Sequence, residues 1–343
     1  PQKFEGHILC LHRKGVFFQE VVNSGLTVHV FNYLPKARPL HRMLSDCWRV
    51  SRKMKKINPA VIHSFHYSAN YTEAIAAKMA RIPWVFTKKN MNWGGASKNA
   101  WLLRSFLAKR IAVQNTDMIR EFYPNSKKTH LIPRGVNVSH FETSEVRESI
   151  KTQLQTPIHD RVLITVANFV PVKGAEVLIR AFQQLHHAHP DWSLWLVGDA
   201  SNSYGEELKT LVAEFDLADK IKFSGKQADI RPYLDHAEIF VLPTKNEGRK
   251  EGSPVSLLEA MANGKVVFGS DVPGIKDQLE NFPDFIFSAG AIDDLATKLS
   301  KYMQLPPSKL QTIGAAFHEH VSLQYPIEKE VERHVALYNT ITN

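Results

Sequence analysis

The residues with the most chemical content are Glu251 and Glu259, the two ends of the run Glu251-Gly252-Ser253-Pro254-Val255-Ser256-Leu257-Leu258-Glu259. Ser253 suits an N-cap and Pro254 a first helical position, so a helix is expected to open here with unpaired N–H groups facing outward. Such an end attracts phosphate or sugar oxygens. Glu251 would stand in the loop before the helix and Glu259 on its second turn. Two carboxylates at different depths of one crevice suit a hydroxyl-rich ligand, since each can accept hydrogen bonds from a vicinal diol. A buried helix with capping residues and two solvated glutamates satisfies the same local pattern.

Three further segments end in glycine or just after it. Val166-Ala167-Asn168-Phe169-Val170-Pro171-Val172-Lys173-Gly174 reads as a strand, a tight loop and a helix start. That puts Lys173 beyond the carboxyl end of its strand, where an open α/β sheet meets an anion. Leu196-Val197-Gly198-Asp199 and Phe223-Ser224-Gly225-Lys226 are two more strand ends of the same kind. Each alone reads equally well as a turn. Together they outline a cleft in which backbone comes close to a ligand.

The elements that would carry these residues alternate. Short apolar strands at 162–166, 194–197, 221–223, 239–242 and 266–268 are separated by helical patterns at 175–187, 206–215, 230–234 and 254–262. Continuous apolar strands between amphipathic helices make a parallel sheet covered on both faces. The first half repeats this more loosely, with strands expected at 8–11, 28–31, 61–62, 84–86, 111–113 and 130–132. The expectation is an α/β chain of two doubly wound, Rossmann-like domains: 1–142, a polar linker over 143–160, 161–322, and a final stretch over 323–343.

Composition agrees with that plan. The 343 residues suffice for two domains. Two cysteines, Cys10 and Cys47, are too few for a disulfide scaffold, and no apolar run approaches the roughly 18 residues of a membrane span. Charge is unevenly spread: residues 1–150 hold 24 Lys+Arg against 9 Asp+Glu (+15), and residues 151–343 hold 19 against 25 (−6), summing to the chain's +9. Halves so different in charge point to different partners.

The order Lys173-Gly174, Leu196 to Asp199, Phe223 to Lys226, Ile239 to Pro243, Glu251 to Ala262 and Gly264 to Gly274 resembles the C-terminal half of family 4 (group 1) glycosyltransferases of the GT-B fold. The resemblance runs from Val162 to Asp277. Pro133-Arg134-Gly135-Val136-Asn137 resembles the family's interdomain segment, and 325–338 its last helix, which crosses back to the first domain. The resemblance implies a retaining, metal-independent enzyme with no cofactor, using a UDP-linked nucleotide-sugar as co-substrate for hexosyl or N-acetylhexosaminyl transfer in glycan, glycolipid or polysaccharide biosynthesis. By position it implies that Glu251 contacts donor-sugar hydroxyls, that Gly252, Ser253 and Pro254 line the donor with backbone, and that Glu259 holds the ribose. It gives Lys173 the diphosphate, where a fixed cation meets the charge that develops on the leaving group. Asn168, Gly174, Gly225 and Lys226 fall on the donor side, and Lys89 and Arg134 on the acceptor side; His66, in His63-x-x-His66 just after a strand end, is placed to contact acceptor or donor, and a satisfied structural histidine fits the same position.

The chain departs from the family pattern in three places. Asn168 stands where an Arg usually accompanies the lysine, leaving Lys226 and Lys245 as candidate replacements. Lys89 stands in Thr87-Lys88-Lys89-Asn90 where many relatives have a donor-contacting His. The chain also opens without Met, at what resembles the family's second strand, so the first strand is expected to be missing from it.

His186, His187 and His189 are spaced like metal ligands, but they close a helix before Pro190, where they would offset its dipole, and no metal is expected. Cations cluster in Arg49–Lys56 and again in 101–110, where Trp101, Leu102, Phe106 and Leu107 lie beside Arg104, Lys109 and Arg110 as in an interfacial helix. A basic first domain suits an acceptor glycan, lipid-linked glycan or small molecule that is anionic, met in the cytoplasm or peripherally at the inner membrane face. Two rivals remain: a GT-B protein with weakened catalysis acting as a binding partner, motivated by Asn168, and a basic nucleic-acid binder, against which stand the acidic second half and the lack of a specific nucleic-acid motif.

Overall fold

The computed structural model describes residues 4–15, 18–92, 97–142, 149–248 and 250–342. Its strands are β1 His7–Cys10, β2 Thr27–Val30, β3 Ile62–Ser64, β4 Trp84–Lys88, β5 Arg110–Val113, β6 Thr129–Leu131, β7 Arg161–Val166, β8 Trp192–Val197, β9 Ile221–Gly225, β10 Ala237–Leu242, β11 Val266–Ser270 and β12 Ile286–Phe287. Every ladder between them is parallel. The second half forms one six-stranded sheet, β12-β11-β10-β7-β8-β9. Its central strands are buried along their length, as their unbroken apolar runs require. Strand order reverses between β7 and β10, so a crevice opens beyond their carboxyl ends.

In the first half β3-β4-β5-β6 form one sheet, while β1 and β2 pair only with each other among the described residues. The whole is an α/β chain with two parallel-sheet cores facing a central cleft, one built around Trp84, Phe86, Ile111 and Met118, the other around β7, β8, β10 and β11. Of the linker expected over 143–160, residues 143–148 lie outside the described residues. Strand β12 had no sequence signal: it is two residues long and pairs with the end of β11. Among the described residues no helix is long and apolar enough to cross a membrane.

The last helix, Ile327–Thr342, packs on the first half. Just before it, Val136 and Pro326 form a bridge, with Val136 N–H donating to Tyr325 O and Ile327 N–H to Val136 O, both at 2.9 Å. Leu337 is buried with Val85, Ala112 and Ile132, a contact worth about 1.5–3 kcal/mol. His63 sits between the Tyr338 hydroxyl at 2.7 Å and Thr87 Oγ1 at 2.8 Å, and burial pushes its pKa down to about 3, so the imidazole is neutral.

The helix Lys98–Leu107 corrects the amphipathic reading of 101–110. Arg104 is wholly buried (0% exposed), its guanidinium over the rings of Trp84 and Phe86 at 4.9 and 4.8 Å. Its Nη1 donates to the carbonyls of Ser68 at 2.9 Å and Asn70 at 2.7 Å. Arg104 follows Trp101 by one helical turn and shares its buried face. The face left in solvent is apolar instead: Phe106 is 71% exposed, beside Leu102 and Leu103.

Candidate active site

The carboxyl ends of β7 and β10 deliver the two chemically central residues. After β7 the chain turns through Pro171–Lys173 into Gly174, whose φ of 65° lies in the left-handed region that favours glycine. A Cβ there would lie 2.1 Å from Pro243 O, so glycine lets this loop sit against the end of β10. Lys173 then reaches Glu251 as an ion pair. Glu251 Oε1 also accepts from Thr244 Oγ1 at 2.9 Å, and the Ser270 hydroxyl donates to Thr244 O at 2.5 Å. Thr244, buried at the end of β10, therefore fixes the carboxylate from behind.

These residues line a cleft of about 710 Å³ between the two sheets. Asn168, Lys173, Lys226, Glu251, Gly252, Ser253 and Pro254 bound it on one side, and Lys89 and Arg134 on the other. Tyr67, Gln114, Asp199, Gln227, Val255 and Ser256 also line it; Tyr67, Gln114 and Gln227 fall in none of the sequence motifs that pointed to the cleft. The helix Val255–Ala262 points its N-terminus at the cleft, adding the positive end of its dipole to the cations.

Ser253 does not cap that helix. Pro254 takes the N-cap position, and the Ser253 hydroxyl accepts from Arg134 N–H at 3.1 Å and Gln278 Nε2 at 3.0 Å. Glu259 is not among the residues lining the cleft. It lies one turn beyond Val255 and Ser256 on the same helical face. Burial pushes its carboxyl up to about 7.

Gly225, with φ 71°, closes β9 just before Lys226 without lining the cleft itself. Lys226 is exposed and faces the cleft near Asp199. Lys245, the other candidate to replace the missing Arg, is held by Glu176 at 2.7 Å and Glu247 at 2.8 Å and does not line the cleft.

On the opposite wall Lys89 lies 4.8 Å from the Tyr67 ring centroid and 5.7 Å from that of Phe65. Burial holds its pKa below the ordinary lysine value, with Arg134 adding repulsion. Arg134 Nε is 3.6 Å from Glu330 Oε2 on the last helix. His66 does not reach the cleft. Its Nε2 lies 3.1 Å from Glu73 Oε2 and 3.0 Å from Arg104 Nη1, inside the first core, so it serves the buried charges there. His186 Nδ1 donates to Gln183 O at 2.6 Å, and His189 Nε2 lies 3.2 Å from Ser300 Oγ.

The arrangement can hold an anion between Lys173, Lys226 and a helix N-terminus while Glu251 accepts from hydroxyls. Family models agree in two pieces: residues 146–318 match the glycosyl transferases group 1, and residues 2–140 match glycosyltransferase family 4. An amylovoran biosynthesis glycosyltransferase, AmsK, of Erwinia amylovora is 31% identical over 55% of this chain and 46% of its own length. The chain spans about half the length of the first curated relatives it matches. An N,N'-diacetylbacillosaminyl-diphospho-undecaprenol alpha-1,3-N-acetylgalactosaminyltransferase of Campylobacter jejuni is 25% identical over 95% of this chain and 89% of its own. Among solved structures, a glycosyltransferase from Rickettsia africae superposes with a TM-score of 0.85 at 18% identity, covering 98% of this chain and 89% of that one. Anabaena HepE in complex with UDP and glucose superposes with a TM-score of 0.82 at 19% identity, covering 97% and 91%. These structures share the GT-B fold with this chain.

Proposed function

The chain belongs to the group 1, family 4 glycosyltransferases, and from that premise we propose that it transfers a sugar, with retention, from a UDP-linked donor to an anionic or lipid-linked acceptor without a metal ion. The observation that carries this reading is the meeting of Lys173 and Glu251 beside Lys226 and a helix N-terminus in one cleft. The anomeric C–O bond to the diphosphate would break as the acceptor oxygen bonds to the same face of the sugar, and the acceptor proton would pass to a diphosphate oxygen. Lys173, Lys226 and the helix N-terminus would meet the charge that builds on the leaving group. Glu259 would take the ribose hydroxyls. UDP in the HepE complex supports this choice of nucleotide, and the diphospho-lipid in the name of the Campylobacter relative supports the acceptor class.

Lys89 and Arg134 on the far wall suit an acceptor that carries phosphate or carboxylate. We infer also that the first half meets an anionic membrane. The helix Leu40–Ile57 buries Met43, Cys47, Val50 and Met54, yet exposes Leu40, Leu44 and Trp48 at four-residue spacing among Arg42, Arg49, Arg52, Lys55 and Lys56. An exposed apolar stripe rimmed by cations fits a bilayer surface. The deciding experiment for the enzyme is release of nucleoside diphosphate from a panel of UDP- and GDP-sugars. Release from one donor supports the reading; a chain that neither binds nor turns over any donor is a binding partner on an enzyme's fold.

A further inference from the structure

We propose that Asn115, in the first half of the chain, is the positioning residue that sets the Glu251 loop of the second half for reaction. This rests on the reading of Glu251 as a donor contact. Asn115 is 1% exposed and caps the helix Thr116–Phe122, its Oδ1 accepting from Met118 N–H at 2.8 Å. Capping uses only that oxygen. The amide nitrogen points across the cleft floor and donates to Gly252 O at 2.8 Å, with Glu251 O at 3.4 Å. The successive carbonyls of Glu251 and Gly252 are thus held by a side chain from the opposite half.

The fit around this contact is close. A Cβ on Gly252 would lie 2.1 Å from Lys89 O and 2.7 Å from Gln114 Oε1, so the loop touches the ends of β4 and β5 directly. The start of the Asn115 helix also grips the second half at Asp277, through Thr116 Oγ1 at 2.5 Å, and at Lys276, through Asp117 Oδ2 at 3.0 Å. The contacts that join the halves here therefore also place the Glu251 backbone, and Asn115 is the side chain among them that bonds to the loop's carbonyls. A loop displaced by about 1 Å would cost on the order of 100-fold in rate, since reacting groups must be held in near-attack geometry. Lys173 and Lys226 sit on other segments and Glu259 lies further along the helix that follows the loop, so loss of Asn115 should act on kcat far more than on nucleotide affinity.

The test separates capping from positioning. Asn115→Asp keeps an acceptor for Met118 N–H and removes the donor; Asn115→Ala removes both; Asn115→Ser keeps a hydroxyl that can accept and donate. UDP release from the best UDP-sugar, with UDP affinity by calorimetry, gives the readout for each. The expected result is a kcat lower by about 10- to 100-fold in Asp and Ala, UDP affinity within about twofold of the unchanged chain, and recovery of most of kcat in Ser. Wild-type kcat in the Asp variant overturns the proposal. So does a loss of kcat matched by an equal loss of UDP affinity, which marks a folding effect. If the unchanged chain releases UDP from no donor, the enzyme reading fails first and this inference with it; if it does and Asp matches it, the inference alone fails.

Discussion

Lys173 and Glu251, 78 residues apart in sequence, close on each other as an ion pair at the mouth of the crevice. Each is the other's counter-ion before a ligand arrives. On the proposed function, a donor would part them, its hydroxyls taking the carboxylate and its diphosphate the ammonium. Breaking the pair by substitution should therefore act differently from the two sides. Glu251→Gln removes the negative charge and turns one of the two acceptor oxygens into a donor, which frees Lys173, so UDP itself should bind equally or more tightly while transfer from a UDP-sugar falls. Lys173→Ala should lower kcat by about 10²–10³-fold, more than it weakens donor binding, because its charge matters most as the leaving group ionises. Calorimetry with UDP and steady-state kinetics on the same variants check both; equal loss of kcat and affinity in Lys173→Ala contradicts its assignment.

If Glu259 holds the ribose as proposed, nucleotide binding is expected to depend on pH. Burial lifts its carboxyl from 4.5 to about 7, so the ligand-free fold favours the protonated form. Between those values the folded chain holds more protons than the unfolded one, and stability falls as pH rises through the window. The ionised carboxylate is the better acceptor for a ribose diol, so UDP affinity should rise with pH up to about 7 and level off above it, while ligand-free stability declines across the same window. Both slopes should flatten in Glu259→Gln. Melting temperature and UDP affinity measured between about pH 5.5 and 8.5 decide it.

The residues of the second half were legible because a parallel sheet writes its strands as unbroken apolar runs and its ligand groups at their carboxyl ends. Lys173 and Glu251 could be named from that pattern and the motif order. What escaped depended on partners distant in sequence. Ser253 looked like an N-cap, since nothing local shows that Arg134 N–H and Gln278 reach its hydroxyl first. His66 looked like a cleft residue because it follows a strand end; Glu73 and Arg104 draw it into the core instead. Arg104 itself was read as surface from its charge, although its spacing from Trp101 already placed it on the buried face.

That buried arginine is expected to dominate the stability of the first half. Arg104→Met would leave Glu73, itself 3% exposed, without its nearby cation, and the carbonyls of Ser68 and Asn70 without donors. The two charges meet through His66, so the loss is expected at the lower end of the roughly 3–5 kcal/mol that breaking a buried pair from one side costs. Urea unfolding should show a loss of that size. Because the pair lies away from the cleft, Arg104→Met combined with Glu73→Gln should recover part of the loss, and an unchanged deficit in the double variant would show that the hydrogen bonds to the carbonyls carry it.

Lys88 adds a second buried cation to the same core and a stability change of opposite pH sign to Glu259. Its ammonium is 3.1 Å from Asn90 Oδ1 and 2.5 Å from Asn92 O, and burial together with Arg104 pushes its pKa down to about 7. The unfolded chain therefore holds more protons between 7 and 10.5, and stability should rise with pH across that range. Lys88→Met should remove the slope. A chemical-denaturation series from about pH 7 to 10 distinguishes it from the flat response expected of an exposed lysine.

Membrane contact is testable on residues that the fold does not need. Trp48 is 56% exposed, with Leu40 and Leu44 on the same stripe and Arg52 over its ring at 5.5 Å. Trp48→Glu and Leu44→Glu should leave the melting temperature within about 2 °C, since neither side chain is in the core. Each should nonetheless cut sedimentation with vesicles rich in phosphatidylglycerol. Each cation near such a surface contributes about 1 kcal/mol at physiological ionic strength, so binding should weaken steeply with added salt. The tryptophan emission of Trp48 should shift to the blue with anionic vesicles and stay unchanged with phosphatidylcholine alone. Equal binding to both vesicle types at low salt would remove the electrostatic part of the argument, and no loss in Trp48→Glu would remove the apolar part.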